Sequence, residues 1–254
     1  MTILTIALNT FKECIRDKIL YNLLIFAMLM IGLSAFLSKL AIGVQIRIVK
    51  DIGLGSISIF GVLIAIFLGI GLVSKEIERR TIYTILSKPV QRYSFLLGKF
   101  AGLLLTLFIN IAIMTIALIV LIYSMGGDSN LLLFEAIFLI FIELVVITSI
   151  ALFFSTFTTP TLSAIFTLSF FVIGHLTGYI RLFGSQSELQ FVRQLSDILY
   201  YVLPNLESFN IKSMVMYAEA VEWKLFFLST MYGLIYASLV LVLSVIIFQK
   251  RDFK

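Results

Sequence analysis

Six long apolar segments divide this chain, and they limit its fold more than any other feature of the sequence. They cover residues 19–38, 52–74, 99–125, 131–154, 160–181 and 225–248. About twenty apolar residues in a helix, at about 1.5 Å of rise each, cross the roughly 30 Å of hydrocarbon in a bilayer. The segments are continuously apolar, whereas the strands of a membrane barrel alternate polar and apolar residues. We therefore predict an all-α integral membrane protein with six transmembrane helices in a single transmembrane domain, 1–254.

The composition excludes a soluble globular protein. Apolar residues make up 61% of the 254 residues and charged residues only 13%, which is too little polar surface to cover a globule in water. The net charge of +5 is spread over short loops with no run of five basic residues, so we expect membrane lipid, and no nucleic acid, as a partner. The single cysteine, Cys14, allows no internal disulfide, and we expect no metal site.

Lysine and arginine residues predict the orientation of the helices. With the N-terminus inside, twelve of the 19 lie on inner segments and seven on outer ones, and much of the outer total falls in one long loop, where charge has little influence. Residues 1–18 have mixed charge, and no small-x-small cleavage motif follows the first apolar segment, so we expect that segment to remain as a helix. We predict a multi-pass protein of the bacterial cell inner membrane with cytoplasmic N- and C-termini.

Two segments outside the spans have amphipathic patterns. The pattern in residues 1–18 predicts a helix lying flat on the inner membrane surface, and an ordinary solvated lead-in to the first span is the alternative. The pattern in the outer loop, 182–222, predicts one or two amphipathic helices that cap the outer face. The apolar positions are Ile3, Ala7, Phe11 and Ile15 in the first segment, and Leu189, Val192, Leu195, Leu199 and Val202 in the second.

Small residues recur at four-residue spacing within the spans. Such positions allow helix backbones to approach closely, and this packing is a main source of helix association in lipid. We predict that they mark helix contacts, either within the subunit or across a dimer. The positions are Gly61, Ala65 and Gly69; Gly98 and Gly102; Gly174 and Gly178; and Ser229, Gly233 and Ala237.

The inner loop, 75–99, is the most informative segment outside the spans. Its charged start extends the second span, and residues 81–87 predict a short helix with an apolar face, which Lys88 and Pro89 end. Ile82, Ile85 and Leu86 form that face, with arginine and lysine residues on either side. Such a helix is suited to docking in a groove of another protein, because apolar side chains anchor it while the flanking charges orient it.

This loop resembles that of the permease subunits of type 2 ABC exporters. The shared elements are an acidic exit from the second span, a short coupling helix, a Leu-Ser-x-Pro-Val-x-Arg stretch at 86–92, and Gly98-Lys99 opening the third span. Residues 1–18 are similar to the amphipathic elbow helix of that family. Arg80 and Tyr83 depart from its pattern, which often has glycine and glutamate there. In size and outer loop the chain loosely resembles the permease that serves nitrous-oxide-reductase maturation.

The resemblance implies a permease subunit that exports a substrate and has no nucleotide site of its own. Gly98-Lys99 also lacks the earlier glycine of a phosphate-binding loop, because Tyr93 occupies that position, so we expect no bound cofactor and no enzyme activity. The resemblance further implies a dimer with a second permease subunit, and two ABC-type ATP-binding subunits that carry ATP and Mg. The residues that would dock these subunits are Glu76, Glu78, Arg79, Arg80, Thr81, Ile82, Tyr83, Ile85, Leu86, Pro89 and Arg92.

Three ionisable residues inside the spans are candidates for a transport path. Glu143 lies about 18 Å from the outer end of the fourth predicted span, where a charge is costly unless it faces protein or water. We interpret Glu143 either as a polar or proton-sensitive point in the transport path or as a partner in an ordinary interhelical hydrogen bond. Glu135 and the only histidine, His175, both lie roughly 6–9 Å below the outer surface, so their depth suggests that they pair.

Two other classes of protein were weighed against the ABC permease. A proton-coupled secondary transporter would use Glu143 as its relay, but such proteins show internal repeats and broken helices, and the sequence has no convincing repeat. An intramembrane enzyme would need more than one histidine and one deeply buried acid, and the chain has no Gly-x-Ser-x-Gly element.

Overall fold

The computed structural model describes residues 2–40, 43–78, 91–128, 130–187, 189–217, 219 and 221–250. Within these ranges every regular element is a helix, which confirms the all-α prediction. The elements are α1 (Thr2–Ile15), α2 (Lys18–Ser38), α3 (Gln45–Glu78), α4 (Arg92–Ser124), α5 (Leu131–Ser155), α6 (Pro160–Gln186), α7 (Gln190–Val202), a 3₁₀ helix (Leu206–Phe209), α8 (Lys212–Tyr217) and α9 (Trp223–Lys250).

Six of these helices are long and apolar enough to cross a membrane, as predicted: α2, α3, α4, α5, α6 and α9. Two of them begin earlier than the apolar segments, α3 at Gln45 and α4 at Arg92. The physical reason is that hydropathy detects only the part of a helix that lies in hydrocarbon, whereas polar turns beyond it remain helical. We call the end of the bundle that carries α1 and Lys250 the proximal end. The distal end carries residues 39–45, 125–130 and 187–222.

Helix α5 is the centre of the bundle. Its most apolar window is 83% buried within the protein, against 22% for the windows of α2, α6 and α9. It packs against α3, α4, α6 and α9. Small residues allow the close contact with α3, because a Cβ atom added at Gly61 of α3 would lie 2.7 Å from Leu144, and one added at Gly69 of the same helix would lie 3.2 Å from Ala151.

Helix α1 packs along the first turns of α4. Gly98 and Gly102 lie at this contact, and a Cβ atom at Gly102 would come within 2.6 Å of the carbonyl oxygen of Ala7. The buried face of α1 consists of Ala7, Thr10 and Cys14, because small side chains allow the close approach. The predicted apolar stripe is therefore only partly buried, since Ile3 and Ile15 remain exposed. Its placement on a membrane surface stays a prediction.

An ion pair and a buried thiol accompany the contact between α1 and α4. Lys99 is 4% exposed, and its Nζ lies 3.2 Å from Oε2 of Glu13. Cys14 is 1% exposed, and burial raises the pKa of its thiol to about 11. The thiol is therefore protonated at neutral pH.

The distal segment between α6 and α9 forms α7, the 3₁₀ helix and α8. Helix α7 folds back along the last turns of α6, where Arg181 stacks 4.4 Å from the ring of Tyr200 and its Nε lies 3.5 Å from Oδ1 of Asp197. These contacts stabilise α6 beyond residue 181, where the apolar segment ends, so the helix continues to Gln186. Helices α7 and α8 lie within the outer loop, 182–222, and an amphipathic cap on the outer face stays a prediction.

Candidate functional site

The candidate site is centred on a carboxyl group inside the bundle. Glu143 of α5 is 3% exposed, and its Oε1 lies 3.5 Å from Nε2 of His175 on α6. No hydrogen bond of good geometry reaches this oxygen within the described part of the chain. The pair is therefore a close polar contact between two helices.

The other ring nitrogen of His175 fixes which proton the pair can share. Nδ1 lies 3.1 Å from the carbonyl oxygen of Phe171, one turn earlier in α6. Because a carbonyl oxygen only accepts hydrogen bonds, Nδ1 carries a proton, and Nε2 faces Glu143. The pair then shares one further proton. On the carboxyl group it gives a neutral acid and a neutral imidazole, and on Nε2 it gives a carboxylate and an imidazolium.

The pairing of His175 with Glu135 that depth suggested is wrong. Helix α6 ends at Gln186 and not near residue 181, so His175 lies about 16 Å from its distal end, and Glu143 lies about 18 Å from that of α5. The two residues therefore share a depth. Glu135 is half-buried on α5, eight residues and about 12 Å closer to the distal end.

The 3₁₀ helix, Leu206–Phe209, inserts between α6 and α9 at this depth. Two glycines receive it. A Cβ atom at Gly174 of α6 would lie 2.7 Å from Leu206 and 2.9 Å from the carbonyl oxygen of Pro204, and one at Gly233 of α9 would lie 3.0 Å from the ring of Phe209. Gly174 and Gly233 are about 18 and 15 Å from the distal ends of their helices. The segment thus reaches the middle of the bundle, deeper than the predicted cap.

Hydrogen bonds from both neighbouring helices hold this segment. On the α9 side, Oγ of Ser229 donates to the carbonyl oxygen of Ser208 at 2.9 Å, and the hydroxyl of Tyr232 accepts from the backbone N–H of Asn205 at 2.9 Å. On the α6 side, Oγ1 of Thr177 donates to Oδ1 of Asn205 at 3.4 Å. The 3₁₀ helix is therefore held at the distal side of the bundle by both α6 and α9, with its packing mainly against α6.

Two charged groups of the distal segment lie within electrostatic range of Glu143, namely Lys212 and Glu207. They belong to α8 and to the 3₁₀ helix. The pair is thus linked to the inserted segment as well as to α6. Sequence analysis missed this arrangement, although the glycines at 174 and 233 were noted, because nothing in the sequence identifies which segment a small residue faces.

Most of the predicted docking residues lie outside the described part of the chain: Arg79, Arg80, Thr81, Ile82, Tyr83, Ile85, Leu86 and Pro89. Glu76 and Glu78 belong to the last turn of α3, and Arg92 begins α4. Nη1 of Arg92 donates to the carbonyl oxygens of Phe248, at 3.3 Å, and Gln249, at 2.9 Å. These carbonyl oxygens belong to the last turn of α9 that the structure describes, and Arg92 caps that turn.

A second contact joins the same two helices beside Arg92. The rings of Phe95 on α4 and Phe248 on α9 stack with their centroids 6.0 Å apart, and Phe248 is 1% exposed. The end of loop 75–99 that contains Arg92 and Phe95 is therefore fixed to the proximal end of α9. Helix α9 also contacts the 3₁₀ segment in its own distal half, through Ser229, Tyr232 and Gly233.

The family of the chain follows from comparison with known proteins. The model of the ABC-2 family transporter proteins matches residues 4–253. The chain belongs to the ABC-2 transporter family. This ABC-2 protein is a membrane-spanning permease component of an ABC transporter. The match covers the family as a whole and does not separate out the permeases of nitrous-oxide-reductase maturation. Among curated proteins, none matches the chain significantly.

Proposed function

We propose that this permease exports its substrate using ATP hydrolysed by two separate ABC-type ATP-binding subunits. In this proposal the subunits hold ATP and Mg and dock on loop 75–99 of a dimer, in which the partner is a second copy or a related permease. The proximal end then faces the cytoplasm of a bacterial cell, because ATP is there. The excess of lysine and arginine in the proximal segments supports this orientation.

The contact of Arg92 with α9 is the observation that carries the proposal. Loop 75–99 ends on the helix that Arg92 begins, and Arg92 holds the last carbonyls of α9. Since α9 also binds the 3₁₀ helix through Ser229 and Tyr232, a displacement of the loop is transmitted to the distal side by one rigid helix. Docked subunits that close on ATP would in this way move the 3₁₀ helix, which lies at the depth of Glu143.

We propose that Glu143, Glu135 and His175 belong to the transport path. The Glu143–His175 pair lies at the depth of the inserted 3₁₀ helix, and Glu135 lies closer to the distal end on the same helix as Glu143. Withdrawal of the 3₁₀ helix would give this pair access to the distal side. Family membership does not favour the alternative, a proton-coupled secondary transporter with Glu143 as its relay.

Co-purification tests the docking proposal. An ABC-type ATP-binding subunit encoded beside the permease is co-expressed with it, and the amount retained on the purified permease is measured. The double variant Ile82→Asp, Leu86→Asp is expected to lose most of the bound subunit, because it places charge on the apolar docking face. Ile15→Asp serves as the control, since Ile15 is an exposed apolar residue at the same end of the bundle. Undiminished retention in the double variant contradicts the proposal.

A further inference from the structure

A basic cavity opens at the distal end of the bundle, away from the Glu143–His175 pair. Its volume is about 500 Å³, and its walls are the first turns of α3, the end of α4 and residues 215–217 of α8. Arg47 and Lys50 line it, and none of the described residues around it is acidic. The two cations are three residues apart on α3, so they share one face of that helix.

Lys50 is the unusual member of this cavity. The residue is 8% exposed although it carries a charge, and it lines the cavity. In the described ranges of the chain its ammonium group has neither an ion pair nor a hydrogen bond. Since Arg47 and Lys50 both line the cavity and no acidic residue of the described chain does, the lining carries net positive charge, which favours an anion in the cavity.

Arg47 is positioned to bind the same anion. Its guanidinium carbon lies 5.4 Å from the centre of the Tyr217 ring, within the range of a cation–π contact. A guanidinium group that stacks on a ring keeps the N–H groups in its plane available for bidentate bonds to a phosphate or carboxylate.

The backbone of α3 adds further donors. The helix begins at Gln45, and its first regular hydrogen bond runs from the N–H of Ile48 to the carbonyl of Val44. The N–H groups of Gln45, Ile46 and Arg47 therefore have no acceptor in their own helix, and all three residues line the cavity. Together with the helix dipole, these donors favour an oxyanion at this position.

We propose that this cavity binds the phosphate group of a phosphoester, with Arg47 and Lys50 as its two cationic donors. The group belongs either to a phospholipid headgroup or to a soluble phosphoester. Lys50 lies about 7 Å along α3 from Gln45, at the depth of the headgroup layer beside a hydrocarbon core of about 30 Å. The cavity has room for the glycerol that carries the phosphate, beside the apolar wall formed by Met125, Val215 and Met216. The site does not depend on the ATP-binding subunits.

Thermal stabilisation of the purified permease in detergent measures binding. Four probes are titrated: dioleoylphosphatidylglycerol, dioleoylglycerol, glycerol 3-phosphate and glycerol. Because a ligand that binds only the folded protein raises Tm, we expect saturable stabilisation by the phosphate-containing probes and none by the other two. Stabilisation by the lipid alone identifies a headgroup site, and stabilisation by glycerol 3-phosphate as well identifies a site for soluble phosphoesters. The proposal is wrong if neither phosphate-containing probe raises Tm.

Charge-matched variants locate the binding. Lys50→Gln and Arg47→Gln are each expected to weaken phosphate binding about tenfold or more. Lys39→Gln removes the same charge from an exposed residue outside the cavity, and its affinity should stay within about twofold of the wild type. Arg47 is exposed, so its variant tests the site even if Lys50→Gln does not fold. Equal losses in all three variants would indicate general surface charge and overturn the proposal.

Discussion

Glu143 and His175 face each other across the contact of α5 with α6, with 3.5 Å between Oε1 and Nε2. Because Nδ1 of His175 is bonded to the carbonyl of Phe171, the imidazole cannot turn away from the carboxyl group without losing that bond. The pair therefore forms a polar contact between the two helices at the depth where the 3₁₀ helix is inserted.

A double-mutant cycle tests this pair. Glu143→Leu and His175→Leu each remove the polar contact of the pair, so the second change costs less in the double variant and the total loss should be smaller than the sum of the single losses. We expect a coupling energy of about 1 kcal/mol, in the range of polar contacts between membrane helices, measured by reversible unfolding in mixed micelles. The matched cycle of Glu135→Leu with His175→Leu should be additive. Additivity in the Glu143 cycle would show that the two residues do not interact.

The glycines that receive the 3₁₀ helix provide a second prediction. Gly174→Ala places a Cβ atom 2.9 Å from the carbonyl oxygen of Pro204, which is backbone and cannot turn aside, so the variant should be destabilised by about 1–3 kcal/mol. Gly178→Ala is the control on the same helix, since nothing lies within 4 Å of the added atom. Its stability should be unchanged or slightly higher, because alanine favours a helix. Thermal unfolding of the two variants compares them, and equal stability would contradict the insertion.

Cys14 gives a prediction that depends on pH. Burial raises the pKa of its thiol to about 11, so the reactive thiolate is only about 0.1% of the total at pH 8. Alkylation of the native protein by iodoacetamide should therefore be slow at pH 8 and should accelerate about tenfold per pH unit until the pH approaches the pKa. Protein unfolded in SDS is the control and should react rapidly. Rapid alkylation of the native protein at pH 8 would show that the packing of α1 on α4 does not bury this thiol.

The sequence predicted the spans better than the contacts between them. Hydropathy identified all six transmembrane helices, since each contains a long apolar run. It did not identify their ends, because turns such as those from Arg181 to Gln186 are stabilised by packing with α7 and not by lipid. That error of about five residues moved His175 toward Glu135 in the predicted arrangement and away from Glu143.

The insertion of residues 204–209 was not predictable for a different reason. The apolar spacing before Pro204 correctly indicates helix α7, but the depth of the 3₁₀ helix depends on Gly174 and Gly233, which belong to separate helices. Hydropathy assigns such a short segment to a loop, because it is far shorter than a span. A non-helical segment at membrane depth is tolerated only where protein surrounds it, and hydropathy does not show which helices would surround it. The capping role of Arg92 was missed in the same way, because its acceptors lie more than 150 residues away.

The central claim is that ATP bound by separate subunits moves the distal segment through Arg92 and α9. Spin labels at Asn210 and Leu131, both exposed, measure the distance between this segment and the distal end of α5 in the complex with ATP-binding subunits. Trapping the complex with ATP, Mg and vanadate should shift that distance by about 3–5 Å in the wild type, as expected for a helix displacement. Arg92→Ala should abolish the shift while the ATP-binding subunits remain bound. An unchanged distance in a wild-type complex that hydrolyses ATP would contradict the account.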